Sequence, residues 1–419
     1  MNFGFTPAQT QLRNDLRDFI RTHATPELMA ELDEAEDAIE GSTQSRHNVR
    51  HGPLLKAFHQ KIGERGWLGY SYPKEYGGQD GDRVSQNIIE EEFLRAGFHI
   101  GLAGSGAPAI MAAGTEEQKR HYLPRLISLE YSFALGFTEP QAGADLASLR
   151  CRAVRDGDHF VINGQKMYTT SAHVATHMYL MARTDPSAKK HDGISIFLFP
   201  MDTPGLTVRP LWTIQSNPRA PRGTCYGEAR SNEVFFENVR IHESCLLGKE
   251  NEGWRVGSMG LNLDRVGAWR YLRSISRDED IVNWVKSEHF GAFSPKDNPA
   301  IRDRIAELWI EAQVCRLMTL RSMSIVQHGG NFTYEGSAEK VWAPEHGVRT
   351  TEAITQMLGP YAQLLNGSPH ALRKGVFAHN TMGAFQSGIN HGSVQIMRDQ
   401  VAKRGLGMPS ANKLNKAKA

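Results

Sequence analysis

The sequence predicts an α+β chain in three parts: a helical domain, a β domain and a second helical bundle. Three observations carry this. Apolar residues recur at helical spacing up to about residue 131 and again after Gly248. Between these stretches the period shortens to runs rich in β-branched and aromatic residues, bounded by turn signals. A chain of 419 residues also exceeds one minimal domain and suits two or three. The expected boundaries are 1–131, 132–248 and 249–419.

In chain order, Thr6-Pro7-Ala8-Gln9 offers an N-cap, a proline at N1 and a capping-box glutamine. Leu12, Leu16, Phe19 and Ile20 then form one apolar stripe. Residues 24–50 are acidic and polar without a period and predict a loop or a short helix. Leu54, Leu55, Phe58 and Ile62 mark a second helix stopping at Gly66, and Ile88, Ile89, Phe93 and Leu94 a third. Thr115 and Gln118 open a fourth with another capping box, carrying Leu123 and Leu126.

The strand-like runs are 132–138, 150–155, 159–164, 177–183, 193–200 and 232–241. Asp156-Gly157 and Asn163-Gly164 both read as tight turns between them. After Gly248 one helix is expected over Trp254–Arg277. A long one begins at Asn298-Pro299, with Ile301, Ile305, Leu308, Ala312, Cys315 and either Leu317 or Met318 inward. Further helices are expected near 337–358, 370–386 and 392–403, and the basic tail KLNKAKA reads as a frayed, solubilising end.

Composition narrows the function. Hydrophobic residues make up 40% and charged residues 22%, the balance of an ordinary globular protein. Lys+Arg 48 against Asp+Glu 46 leaves a net charge of +2, which argues against a broad polyanion-binding surface and so against a nucleic-acid role. No apolar run reaches the ~18 residues of a membrane span, and the N-terminus has no apolar signal core. Cys151, Cys225, Cys245 and Cys315 are scattered without a CxxC pair, so no metal site is expected and a reducing cytoplasm is the expected compartment. No GxGxxG or GxxxxGK[ST] is present, which disfavours Rossmann and P-loop readings.

Five collinear segments are more specific. Phe137–Asp145 (FTEPQAGAD) resembles the TEPxAGxD segment of the acyl-CoA dehydrogenase family, and Ile162–Thr170 (INGQKMYTT) its NGxKxWIT segment. Glu233–Gly253 (EVFFENVRIHESCLLGKENEG) resembles the family's FxxVxVPxxxxLGxxxxG segment. Trp67–Gly78 and Thr115–Arg125 resemble parts of its N-terminal helical domain. The likeness spans essentially the whole chain in order. It implies that family's fold, a helical domain, a β barrel and a helical bundle, and FAD-dependent α,β-dehydrogenation of an acyl-CoA thioester. That chemistry needs a carboxylate for the α-proton, flavin N5 for the β-hydride and donors for the developing enolate charge.

By the same resemblance, Thr138 and Thr170 match positions that hydrogen-bond the flavin ring, and Tyr168 stands where an aromatic ring packs along it. The family places its base at one of two positions. His391, in Asn390–Arg398, stands where one glutamate would be, and Asp264, in Leu261–Arg265, stands where the other would be. Asp264 is the expected base, with Arg265 orienting substrate or holding the aspartate; His391 is the rival base, since a histidine titrates near neutrality, or else shapes the acyl pocket. An aspartate is one methylene short, and a misplacement of about 1 Å can cost on the order of a hundredfold in rate. Gln356 and Gly359 match a QxxGG motif beside the adenine half of FAD, and Ser393 and Gln395 match cofactor contacts after the first base position.

One family feature is absent. Ser287–Gly291 (SEHFG) lacks the arginine of RxxFG that reaches the FAD pyrophosphate of a neighbouring subunit. This departure and the stretch Asn366–Gly375 resemble subunits of heteromeric steroid side-chain acyl-CoA dehydrogenases, in which two related chains share a flavin site. Both a homo-oligomer and a heteromer with a related subunit therefore stay open. So do a nitroalkane-oxidase-like flavin oxidase or monooxygenase and a non-catalytic partner subunit. The family implies an electron-transfer flavoprotein as acceptor. Gln215–Arg230 reads as a lengthened, arginine-bearing loop, and Gly101–Ala107 (GLAGSGA) as room for a bulky acyl chain.

Overall fold

The computed structural model describes residues 4–36, 52–98, 106–214, 216, 229–263, 266–287, 294–331, 333–365, 368–390 and 392–409. They form two compact units, one up to residue 263 and one from residue 266.

The first unit opens with helices α1 (Pro7–His23), α2 (Pro26–Glu36), α3 (Pro53–Glu64), α4 (Arg83–Arg95), α5 (Gly106–Ala113) and α6 (Glu116–Ile127). Both capping boxes form: the Thr6 and Thr115 hydroxyls accept from the amides of Gln9 and Gln118, whose side chains accept in return. The stripe of α1 buries Leu16 and Phe19 against Phe58, Trp67 and Phe93. Arg13 and Arg17 on the same helix clasp the buried Glu92 of α4 at 2.5 and 2.7 Å. The acidic stretch after residue 24 does contain a helix, α2, and α5 is a helix of small apolar residues that shows no period in the sequence.

Among the described residues seven strands make one curled sheet: β1 (Phe133–Gly136), β2 (Arg152–Asp156), β3 (His159–Thr170), β4 (His177–Arg183), β5 (Ile194–Pro200), β6 (Leu206–Leu211) and β7 (Ser231–His242). The order is β1-β4-β2-β3-β7-β6, with β5 also on β4. β1 and β4 are parallel, and the β2–β3, β3–β7, β4–β5 and β6–β7 pairs are antiparallel. Strands β4 and β5 read as continuous apolar runs because both of their faces are covered. Tyr179, Met181, Ile194, Ile196 and Leu198 face the core shared with the helices. Met178, Leu180, Phe197 and Phe199 face the interior of the sheet with Phe160, Val234 and Phe236. The Gln118 side chain donates to the carbonyls of Ser244 and Leu246, both at 2.9 Å, and ties α6 to the β domain.

Asp156-Gly157 is the β2–β3 turn, with Gly157 at φ +63°. Asn163-Gly164 is not a turn. It lies inside the continuous strand β3, where the register to β7 slips between Ile162 and Gly164. Gly164 has φ +149°, and a Cβ there would sit 2.8 Å from the Cα of Cys151. The glycine therefore admits the close approach of β2 rather than a chain reversal.

Helix α7 (Gly253–Leu263) packs on α5 and β5 and closes the first unit. The single helix expected over 254–277 is thus two, α7 and α8 (Ala268–Ser287), separated by a bend at Val266-Gly267. The second unit continues with α9 (Pro299–Gln327), α10 (Glu335–Leu358), α11 (Val376–Ala384), α12 (Gln386–Ile389) and α13 (Val394–Gln400). Its core joins Ile281, Trp284 and Val285 of α8 to Ile301 and Leu308 of α9 and to Ala353, Ile354 and Leu358 of α10. On α9, Ile301, Leu308, Ala312 and Cys315 point inward as spaced, whereas Leu317 is exposed. Among the described residues no helix is long and apolar enough to cross a membrane.

Candidate functional site

The first unit gathers three of the expected site residues at one end of β1 and β3. The loop after β1 carries Thr138, half-buried, whose carbonyl accepts from the Met167 amide at 2.9 Å. Met167 immediately precedes Tyr168. There β3 bulges: Lys166 pairs with Val234 and Thr169 with Asn232, so β3 spends one residue more than β7. The surplus puts Tyr168 in the left-handed region at φ +55° and turns its ring out, 58% exposed. Bulges re-aim side chains in this way, and a bulky residue held left-handed costs on the order of 1–3 kcal/mol, a strain that clusters at binding sites. Thr170 follows, half-buried and paired with Ser231.

A buried ion pair fastens this edge. Lys166 is fully buried, and its Nζ donates to Glu139 Oε1 at 2.8 Å and to the Phe137 carbonyl at 3.0 Å. Glu139 also accepts from the amides of Arg150 and Cys151, at 2.6 and 2.9 Å, and from Gln141 Nε2 at 2.6 Å. Burial alone raises a carboxyl, but the Lys166 ammonium and the two backbone amides outweigh it and hold Glu139 below its usual range. Gly136 beside Lys166 is close-packed against β4, since a Cβ there would lie 2.9 Å from Met178 Sδ and 3.1 Å from Leu180 Cδ1. On the other side Asn232 donates to the carbonyls of Thr169 and Arg230 at 3.1 and 3.3 Å and lies 3.1 Å from His173 Nδ1. Sequence reasoning assigned no role to Glu139, Lys166 or Asn232. Glu139 and Lys166 are nonetheless the E and K letters of the two resembling segments, TEPxAGxD and NGxKxWIT, whereas Asn232 carries no such signal.

The expected residues of the second unit are placed less closely. Gln356 is exposed on the last turn of α10. Gly359 ends that helix at φ +55°, ψ −133°, a conformation that glycine adopts freely, with open space where a Cβ would be. Ser393 is the N-cap of α13, its hydroxyl accepting from the Ile396 amide at 3.4 Å, and Gln395 is exposed on the first turn. Helix α13 lies along the first half of α10 through Ser337–Gln400 at 2.9 Å and Glu345–Arg398 at 2.5 Å. Gln356 lies eleven residues beyond Glu345 on the same helix. Asp264, Arg265 and His391 lie outside the described residues, as do 288–293, 217–228, 101–105 and the basic tail.

A second titratable cluster lies inside the helical bundle. Asp278 of α8 is 1% exposed, and among the described residues neither carboxylate oxygen has a hydrogen-bond donor. His346 of α10 stands 3.6 Å from Asp278 Oδ2, with the same Nε2 2.9 Å from the Leu308 carbonyl. Burial pushes the Asp278 carboxyl up to about 8, against the opposing pull of Arg277, and pushes His346 down to about 4. Glu339, also fully buried, accepts from Thr319 and Ser322 hydroxyls at 2.7 and 2.5 Å and is pushed up to about 7 by burial. Among the described residues no group of three His, Cys, Asp or Glu is arranged to hold a metal ion.

Comparison with known proteins gives these sites a context. Residues 6–130 match the acyl-CoA dehydrogenase N-terminal domain, 134–239 its middle domain and 251–406 its C-terminal domain. Acyl-CoA dehydrogenase FadE26 of Mycobacterium tuberculosis is 31% identical over 99% of this chain and 100% of that protein. The ChsE4–ChsE5 complex of the same organism contains a chain 30% identical, with a TM-score of 0.80, covering 98% of this chain and 100% of that one. The Tcur3481–Tcur3483 steroid ACAD gives a TM-score of 0.80 at 30% identity, over 98% of this chain and 100% of that one.

Proposed function

The chain belongs to the acyl-CoA dehydrogenase family, and on that premise we propose that it carries out FAD-dependent α,β-dehydrogenation of a bulky, steroid-like acyl-CoA thioester. As an acyl-CoA dehydrogenase it is a flavoprotein oxidoreductase by family. The observation that carries the finer reading is the strained edge of the β domain. An exposed aromatic ring is held left-handed on a bulge, directly beside the threonine loop that closes β1. That edge suits a flat heteroaromatic ring, with Tyr168 along its side and the threonines Thr138 and Thr170 as polar contacts. In the second unit, the open backbone at Gly359 suits a close approach by a cofactor, with Gln356, Ser393 and Gln395 as proposed cofactor contacts.

FAD, when bound, supplies the acceptor for the hydride that leaves the β-carbon. The protein's own work is to take the α-proton and to align the thioester. Asp264 takes that proton on its carboxylate, Arg265 orients the thioester or the aspartate, and His391 lines the acyl pocket. The shorter reach of aspartate is met by a closer approach of substrate or backbone.

Two solved relatives at about 30% identity, the ChsE4–ChsE5 complex and the Tcur3481–Tcur3483 steroid ACAD, each pair two named proteins, and the second is a steroid enzyme. They favour a heteromer with a related subunit and a ring-bearing acyl group. An electron-transfer flavoprotein is the electron acceptor in this reading, and the cytoplasm its location. The test is anaerobic reduction of the bound flavin by acyl-CoA thioesters. Bleaching by a ring-bearing thioester supports the reading. Peroxide release with oxygen consumption and no thioester response transfers the chain to the oxidase class.

A further inference from the structure

Glu139 and Lys166 form a buried ion pair, in which the lysine donates to two oxygens and the carboxylate accepts four hydrogen bonds. Replacing such a pair by apolar residues of similar volume is often neutral or stabilising, so stability alone is a weak reason for its presence. Its placement offers a better one. Lys166 joins β3 to the Phe137 carbonyl and to Glu139. Glu139 joins the same loop to the Arg150 and Cys151 amides at the entry to β2. Three segments separate in sequence therefore meet at one carboxylate. The loop so fixed carries Thr138, whose carbonyl takes the Met167 amide, and Met167 leads into the bulge that presents Tyr168. Neither charge is exposed, so neither offers itself to a ligand.

We propose that Glu139 and Lys166 are positioning residues for the cofactor edge: the pair sets where Thr138 and Tyr168 stand relative to each other, and through them the affinity and spectrum of bound FAD. This rests on the reading that the edge takes the flavin. A bond network that loses its centre lets the loop slide on β3. Supporting groups of this kind commonly govern 10–100-fold in affinity or rate, and a misplacement of ~1 Å has effects of similar size.

The test uses the full-length chain with Lys166→Met, Glu139→Gln and the control Ile241→Ala. Ile241 is a buried core residue paired with Phe160, about ten residues and ~33 Å along the strand from Thr170. Three readouts are taken: the FAD dissociation constant of the apo chain, the visible circular dichroism of bound flavin, and the urea midpoint of the apo chain. Lys166→Met is expected to weaken FAD about 10–100-fold and alter the flavin dichroism, and Glu139→Gln to do so several-fold. Ile241→Ala is expected to lower the urea midpoint yet hold FAD within about twofold of wild type. The proposal is overturned if Lys166→Met keeps wild-type affinity and dichroism. It is also overturned if Ile241→Ala weakens FAD as much for the same loss of stability. Should the wild-type chain alone take up no FAD, affinity and dichroism are read on its complex with the related subunit, and hydrogen exchange decides the positioning claim. Faster exchange confined to 134–141 and 165–171 in Lys166→Met upholds it, and unchanged exchange there overturns it.

Discussion

Asp278 gives a prediction that owes nothing to the enzymology. Its carboxylate is buried between α8, α9 and α10 without a hydrogen-bond donor among the described residues, and the charged groups that act on it are Arg277, Glu279, Glu311 and the neighbouring His346. Burial dominates and pushes it up to about 8, from an ordinary 3.8. An acid raised in the folded state favours folding below its unfolded pKa, and that contribution is lost as the pH climbs through the folded one. At ~1.36 kcal/mol per unit, the ceiling on the loss is roughly 5–6 kcal/mol between about pH 4 and pH 8. His346, pushed down to about 4 from 6.5, acts with the opposite sign up to pH 6.5. In the wild type the two slopes largely cancel there, and above pH 6.5 the carboxyl remains, losing about 2 kcal/mol by pH 8. Glu339 and His177 titrate alike in wild type and variant and drop out of a difference. Asp278→Asn mimics the protonated acid. Urea midpoints and m-values from about pH 5 to about pH 8 should show the variant gaining on wild type by ~1.4 kcal/mol per pH unit. A difference that stays constant with pH would refute the reasoning and mean that Asp278 is ionised in the folded chain.

Two further predictions concern the cofactor edge. Tyr168→Gly removes the left-handed strain and should stabilise the apo chain by about 1 kcal/mol in urea. FAD titration of the same variant should show weaker binding, since the exposed ring is gone. Thr169 is fully buried and its hydroxyl has no hydrogen-bond partner among the described residues, so Thr169→Val should raise apo stability by about 1 kcal/mol, read as a higher urea midpoint at unchanged m-value.

Legibility in the sequence followed locality. Caps are complete within four residues, so the starts of α1 and α6 could be read from Thr6–Gln9 and Thr115–Gln118 alone. β4 and β5 announced themselves because burial on both faces leaves an unbroken apolar run. Asn163-Gly164 carried the chemistry of a turn, but what the glycine serves is a close pass by Cys151, which only the tertiary fold reveals. β6 was missed because it is an edge strand with much of its side-chain surface in solvent and a proline at 210. At the site, the motif residues Thr138, Tyr168 and Thr170 were visible by resemblance. The bonds that place them were not, since Glu139 and Lys166 are 27 residues apart and nothing local joins them. Asp278 and His346, on different helices of the bundle, were hidden for the same reason.

The central claim is that this chain oxidises an acyl-CoA thioester through a bound flavin, with Asp264 as base. The most direct measurement is an anaerobic titration of the flavin-loaded protein with straight, branched and ring-bearing acyl-CoAs, followed in the visible spectrum, alongside Asp264→Asn. A ring-bearing thioester is expected to bleach the wild type, and the variant to keep its flavin yet fail to bleach. Full bleaching of Asp264→Asn would take the base role away from that residue, and a flavin that no thioester reduces would contradict the dehydrogenase reading.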